Sequence, residues 1–469
     1  MGPPGRPGAQ RARDVPEGRR SRGHSEDRAR GRQAGELGVP QAARGRAAGG
    51  RGRVNGFPRG FLWGTASAAH QVEGDNKNCD WWEWEQQPGK IANGDSSLVA
   101  CDNYHRYRED FKLLREMNQN AHRLSIEWSR IEPSHGEFDS RQIRHYRDLL
   151  GELREQGIQP MVTLHHFTSP LWFARKGGWM HRDSVRAFLS FVTRAADELG
   201  DLVNLWCTIN EPNIYATNGW LTGEFPPGHQ GDFRGFYSVI SNMRRAHELA
   251  YVAIKKRRPD SLVGLSHHKF LFLPASDKRR DVWAAGAAQA TVDRWPIGPG
   301  RMQRVVEATS DYVGIAHYWA QNVAFDPRRP RDQFLRRTNV PGAQLTDMGW
   351  TSDPVHMRRV LNEVKSLGKP VFVTENGIGT DDDERRKRYV ADVLASVRDA
   401  IGDGVDVRGY FHWTNMDNFE WARGYGVKFG LIECDRATLE RTVKPSGVLY
   451  GRIAAANALP EQPSATPAN

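Results

Sequence analysis

Two glutamates occupy positions where chemistry is expected. Glu211 lies in WCTINEPN and Glu375 in VFVTENG, and each directly follows a short apolar run of β character. A glutamate at a strand end can simply cap a helix or pair with an arginine, so neither is informative alone. As a pair on two strand ends that face each other, they can converge on one bond. Two carboxylates flanking a glycosidic bond are the general requirement for glycoside hydrolysis: one protonates the leaving oxygen, and the other attacks or activates water. A separation of about 5–5.5 Å favours retention of configuration and about 6.5–9.5 Å favours inversion. Spacing along the chain leaves both open.

Other residue types invite rival chemistry. The pairs His165-His166 and His267-His268 could be read as metal ligands. Adjacent strand residues point to opposite faces, so neither pair can chelate one ion. The acidic run from Asp381 to Glu384 lacks the spacing of a calcium loop and suits a helix N-terminus. No GxGxxG follows a strand and no GxxxxGK[ST] is present, which argues against dinucleotide and phosphate-loop chemistry. The four cysteines, at 79, 101, 207 and 434, form no CxxC pair. Cys79 and Cys101 could pair by spacing, Cys207 reads as core, and free thiols in a reducing compartment are the default expectation. No metal or cofactor is required.

The elements that must position the glutamates follow from patterning. Short apolar runs alternate with amphipathic stretches, as βαβ units do. Eight runs are predicted as strands: 61–66, 121–126, 160–167, 203–210, 261–268, 311–318, 370–376 and 407–414. Helices are predicted over 102–118, 141–156, 183–199, 234–257, 354–367, 383–401 and 446–457, with Asp139 and Asp183 at N-cap positions. Between 276 and 309 the helical pattern is broken by Pro296 and Pro299. Eight strands each followed by a helix imply an α/β chain folded as a single (β/α)8 TIM barrel, whose chemistry sits at the C-terminal ends of the strands. Glu211 and Glu375 end the fourth and seventh runs, on roughly opposite sides of that mouth. The other polar residues at the strand ends are Gln71, Glu73, Arg123, His165, His166, Asn210, His267, His268, His317, Tyr318, Asn376, His412, Trp413 and Asn415. Carboxylates, amides, one arginine and aromatics suit a neutral polyhydroxylated ligand. Trp413 and Trp421 flank the polar run at the mouth, where an indole offers an apolar platform to the C–H face of a sugar.

Composition sets the limits. The chain has 469 residues, of which 38% are hydrophobic and 26% charged, with 15 Trp and 19 Phe. A sizeable core is therefore available. No run approaches 18 apolar residues, so no membrane-spanning helix is expected. The net charge of +10 is concentrated at one end: residues 1–53 hold 13 Arg against 5 acids, a net +8. This segment is dominated by Gly, Ala, Arg and Pro and cannot offset its ordering entropy, so it is expected to be a disordered extension, or sequence upstream of the true start. Its arginines lack interleaved aromatics, which argues against a nucleic-acid-binding arm. It has no apolar run of signal-peptide type, which points to the cytoplasm. The expected domain is 54–459, followed by a disordered tail over 460–469.

Six ordered blocks carry a resemblance: FPRGFLWGTASAAHQVEG, HRLSIEWSRIEP, TLHHFTSPLW, TINEPN, VTENG and HWTNMDNFEW with GLIECD. From Phe57 to Leu449 the sequence resembles glycoside hydrolase family 1, the β-glucosidase and β-galactosidase family. The resemblance implies a retaining double displacement, with Glu375 as nucleophile and Glu211 as acid/base. Arg123 would orient the nucleophile and keep it ionised, and Tyr318 would hydrogen-bond it. Gln71, His166 and Trp421 would hold the 3- and 4-hydroxyls of the sugar, Asn210 the 2-hydroxyl, and Glu420 the 4- and 6-hydroxyls, with Trp413 beneath the ring. A carboxylate at Glu420 would repel a 6-phosphate. Departures from the family pattern are His70 before Gln71, Phe167 after His166, and Ala316-His317 before Tyr318. The implied partner is a small β-glycoside or oligosaccharide. The implied activity is that of an exo-acting β-glycosidase, with a transglycosidase as the alternative. A non-catalytic carbohydrate-binding protein would be expected to lack one of the two glutamates. The aglycone would be met by loops such as 168–182, 219–231 and 322–350.

Overall fold

The computed structural model describes residues 56–294, 308–329 and 334–461. The expected extension over 1–53 and the tail beyond 461 lie outside the described residues, as do residues 295–307, which hold both prolines of the interrupted stretch.

Eight parallel strands close into a barrel. In chain order they are β1 (Leu62–Ala66), β2 (Ala121–Ser125), β3 (Gln159–Thr163), β4 (Leu205–Asn210), β5 (Leu262–His268), β6 (Val313–Ala316), β7 (Val371–Asn376) and β8 (Val407–Trp413). Each pairs with its neighbours in sequence, and β1 closes against β8. All eight predicted runs are found as strands, trimmed at their ends. Both faces of these strands are covered, which is why β2, β4, β6 and β7 are buried at every position, polar residues such as Arg123 and Glu375 included.

The helices cover the barrel with one apolar stripe each. Ser184–Leu199 buries Ala187, Phe188, Phe191, Val192, Ala195, Ala196 and Leu199, the three-and-four spacing of a single helix face. Asp139 caps Ser140–Glu155 as predicted, accepting a hydrogen bond from the Arg141 backbone N–H. Asp382 caps Asp383–Gly402 in the same way, which accounts for the acidic run at that terminus. Asp183 does not cap its helix. Its backbone, at φ −94° and ψ 4°, is outside the extended region an N-cap needs, and its carboxylate lies near Arg182 and His181 instead.

Two small sheets were not anticipated. Leu271–Pro274, Ala320–Phe325 and Leu335–Thr338 form a three-stranded sheet over the helix Arg279–Arg294. Ile432–Cys434 and Arg441–Val443 form a hairpin. All four cysteines are free and buried. Cys79 contacts His70 and Cys101 the carbonyl of Asp417, so these two do not pair. Among the described residues no helix is long and apolar enough to cross a membrane.

Candidate active site

The ends of β4 and β7 depart from regular pairing. Register shifts occur between Cys207 and Asn210 and between Val373 and Glu375. Such irregularities re-aim side chains at a barrel rim. Glu211, directly after β4, is in the left-handed region at φ +38°, an unfavourable setting for a side chain with a Cβ.

Glu375 is tightly braced. Arg123, fully buried on β2, hydrogen-bonds Oε1 through Nη1 and the Thr374 carbonyl at 3.1 Å. Its Nη2 donates to Asn210 Oδ1 at 2.6 Å, and its Nε to Thr163 at 3.1 Å. Tyr318 donates its hydroxyl to Glu375 Oε2 at 2.9 Å. These donors satisfy both carboxylate oxygens. The contact between Arg123 and Asn210 also sets the next link. Since Asn210 Oδ1 accepts from a guanidinium, its amide nitrogen must be the atom 3.1 Å from His166 Nε2. His166 Nε2 therefore accepts, and its proton sits on Nδ1, which has no hydrogen-bond partner among the described residues.

Glu211 is held differently. His268 Nδ1 lies 2.9 Å from its Oε1. Burial is the largest influence on both carboxyls. It pushes Glu211 up to about 8 against a distant pull from Arg123. It pushes Glu375 up to about 7, with Arg123 and Tyr318 opposing and Glu211 adding to the rise. Of the two, Glu375 alone has a guanidinium and a phenol hydroxyl in contact, both of which favour its ionised form.

The two glutamates open onto a cavity of about 380 Å³, also lined by His166, Trp413, Glu420 and Trp421. Trp413 and His166 stack at 5.6 Å, and His166 lies 6.2 Å from Trp421. Burial raises Glu420 to about 8, opposed by hydrogen bonds from Trp413 and Gln71. Gln71 donates to Glu420 at 3.2 Å and to the Phe419 carbonyl at 2.8 Å. Gln71, Asn210 and Arg123 stand behind the cavity lining and are fully buried. The structure thus brings together all ten residues that the sequence singled out.

Several of the remaining strand-end polar residues go elsewhere. Glu73 pairs with Arg130 and Tyr146, His165 accepts from Trp179, and His317 bonds the Lys269 carbonyl. Asn376 is tied to Tyr389 and Tyr410. Among the described residues no group of three or more His, Cys, Asp or Glu is arranged to hold a metal. His268 was not among the expected site residues; the alternation rule put one of the two histidines at the mouth without saying which. Phe270, Trp319 and Trp350 also line the outer cavity, together with Phe225 and Met348 from two of the three expected loops. The third loop, 168–182, instead lines a separate cavity of about 430 Å³ with Trp84 and Trp220.

Comparison with known proteins gives this geometry a family. The model of "Glycosyl hydrolase family 1" matches residues 53–301 and 300–459. The chain is 32% identical over 438 residues to a beta-glucosidase A of Acetivibrio thermocellus, covering 85% of this chain and 98% of that one. It is 29% identical over 457 residues to a cyanidin 3-O-glucoside 7-O-glucosyltransferase (acyl-glucose) of Delphinium grandiflorum, covering 86% of this chain and 90% of the relative. A beta-glucosidase from Thermotoga maritima, solved in complex with glucoimidazole, superposes with a TM-score of 0.82 at 31% identity over 87% of this chain and 100% of the other. With the closed barrel and the paired carboxylates at its mouth, these matches make the protein a member of glycosyl hydrolase family 1, an O-glycoside hydrolase of the β-glycosidase kind.

Proposed function

We propose that the protein is a retaining, exo-acting β-glucosidase. The observation that carries this reading is the unequal environment of the two carboxyls. Glu375 is braced on both oxygens by Arg123 and Tyr318, which favours the anion needed for attack. Glu211 is buried without a cation in contact, which favours the protonated acid. In the first step the Glu375 carboxylate bonds the anomeric carbon while the leaving oxygen takes the Glu211 proton. Glu375 is then held as a neutral ester, and in the second step Glu211, ionised by the first, accepts a proton from the attacking water.

The inner cavity fits one terminal sugar. His166 and Glu420 line it and offer polar contacts to its hydroxyls, Asn210 and Gln71 stand directly behind them, and Trp413 offers an apolar face. A hydrogen bond from Asn210 to the 2-hydroxyl would strengthen as charge develops. Glucose is the sugar favoured by the beta-glucosidase relatives, one of them holding glucoimidazole.

The test is hydrolysis of p-nitrophenyl β-D-glucoside by the wild type and by Glu375→Ala, with azide added to the variant. Wild-type turnover, loss in the variant and rescue as α-glucosyl azide are expected. Release of α-glucose as the first product of the wild type would identify an inverting enzyme and overturn the reading. A second reading, transglycosylation through the same ester, is supported by the glucosyltransferase relative. Alcohol acceptors added to the assay would then yield alkyl glucosides in excess of glucose.

A further inference from the structure

The fifth strand ends in two histidines, and one of them reaches the acid/base. His268 Nδ1 is 2.9 Å from Glu211 Oε1, with both side chains almost wholly buried. Among the described residues no other side chain hydrogen-bonds this carboxyl. The imidazole is fixed in place by its neighbours. It stacks on Tyr318 with ring centres 6.0 Å apart and planes within 14°, and it packs on Phe270 at 4.7 Å. Tyr318 in turn donates to Glu375. The ring therefore touches Glu211 directly and reaches Glu375 only through Tyr318.

Its tautomer follows from the surroundings. His268 Nε2 is buried with no hydrogen-bond partner among the described residues. A proton placed there would be an orphaned buried donor, the costlier arrangement. On Nδ1 the same proton has an acceptor at hand. Burial holds the imidazole neutral, down at about 4, with Glu375 opposing. The other charged or titratable groups around it are His267 on its own strand, Lys269 directly after that strand, Tyr318 stacked on it, and His317 after β6. Glu211 itself faces Arg123 from β2, and its charge is felt by Glu375 and Glu420.

We infer that His268 is a positioning residue for the acid/base: its Nδ1–H holds Oε1 of Glu211 in both protonation states and leaves Oε2 as the oxygen that carries the catalytic proton. The inference rests on Glu211 being the acid/base. In glycosylation the proton leaves Oε2 for the departing oxygen, which keeps the electron pair of the broken C–O bond. In deglycosylation a water proton returns to Oε2 as the Glu375 ester bond breaks. His268 gives up no proton in either step. Its bond to the ionised form lowers the Glu211 pKa below what burial alone would impose.

The test compares His268→Phe, which keeps an aromatic ring against Tyr318 but removes the donor, with His268→Asn, which keeps an N–H. The substrates are phenyl β-D-glucoside, a poor leaving group that needs the proton, and 2,4-dinitrophenyl β-D-glucoside, which does not. For His268→Phe, kcat/KM on the phenyl glucoside should fall about 10–100-fold, within the range of general acid catalysis, and on the dinitrophenyl glucoside by less than about threefold. The alkaline limb of kcat/KM should move to higher pH by about one unit, the shift expected when one hydrogen bond to an anion is lost. His268→Asn should recover most of both effects. Equal losses on the two substrates with an unmoved limb, or no loss at all, would overturn the inference. Glu211→Gln in the same assays isolates the premise: if that variant shows no selective loss on the phenyl glucoside, the acid/base assignment fails and the inference falls with it, whereas a selective loss there with none in His268→Phe overturns the role of His268 alone.

Discussion

Glu211 and Glu375 are both carboxyls raised above the ordinary range, to about 8 and about 7, with burial the leading cause for each. The chemistry needs the second ionised and the first protonated. kcat/KM should therefore follow a bell, rising as the pair loses its first proton and falling as it loses the second, with both limbs above the usual carboxylate range. A pH profile on p-nitrophenyl β-D-glucoside checks this. The same shifts bear on stability. Below the unfolded value of about 4.5, set by the model carboxyl, both states are protonated and the groups are neutral. As pH rises from there to the folded values, the unfolded chain ionises first and the folded protein loses stability. Glu211→Gln should then raise the melting temperature at pH 8 by about 2–4 °C, the shift about 1 kcal/mol gives in a large domain, and change little at pH 4. An equal gain at both pH values would show that burial of this charge is not the cause.

At the scale of elements, the helices were legible because their caps and apolar stripes are local. Asp139 illustrates this: its place before the apolar periodicity marks it as an N-cap, and its extended backbone and its bond from the Arg141 N–H bear that out. Asp139→Ala should cost about 1 kcal/mol of unfolding free energy, measurable by urea denaturation, and leave kcat/KM unchanged. Asp183 has the same residue type in the same place and makes no such bond, because the loop through His181 brings it in with the wrong dihedrals. The three-stranded sheet over Arg279–Arg294 escaped notice for a related reason. Its first pairing spans a long separation, Leu271 with Ala320, and runs of four to six residues carry little period of their own.

At the scale of the whole molecule, the barrel is clasped where the two ends of the described fold meet. The Phe57 N–H donates to the Asn457 carbonyl at 2.9 Å, and the Asn457 amide donates back to the Phe57 carbonyl at 2.8 Å. The Trp63 indole adds a bond to Asn457 Oδ1 at 3.0 Å. Asn457 is left-handed at φ +50°, where asparagine is one of the few tolerated residues. Asn457→Ala should lower the melting temperature by about 2–4 °C or more through the lost bonds and the strained backbone, with kcat/KM intact. A matching loss of activity would mean that this clasp is coupled to the mouth.

Residue types and their order along the chain determine that eight buried strands alternate with amphipathic helices, and that Glu211 and Glu375 end the fourth and seventh of them. They also determine which polar residues stand near the strand ends. Only the closed barrel decides which of those residues face the mouth. Alternation along a strand allows one of His165 and His166, and one of His267 and His268, without saying which, and the register shifts at the ends of β4 and β7 reset the parity there. Only the tertiary structure puts His166 against Asn210 and His268 against Glu211 while turning Glu73 and Asn376 away. The physical reason is that side-chain direction at a strand end depends on pairing with neighbours distant in the chain, as Asn376 with His412 and Asn210 with Ser266, and that pairing exists only once the barrel has closed.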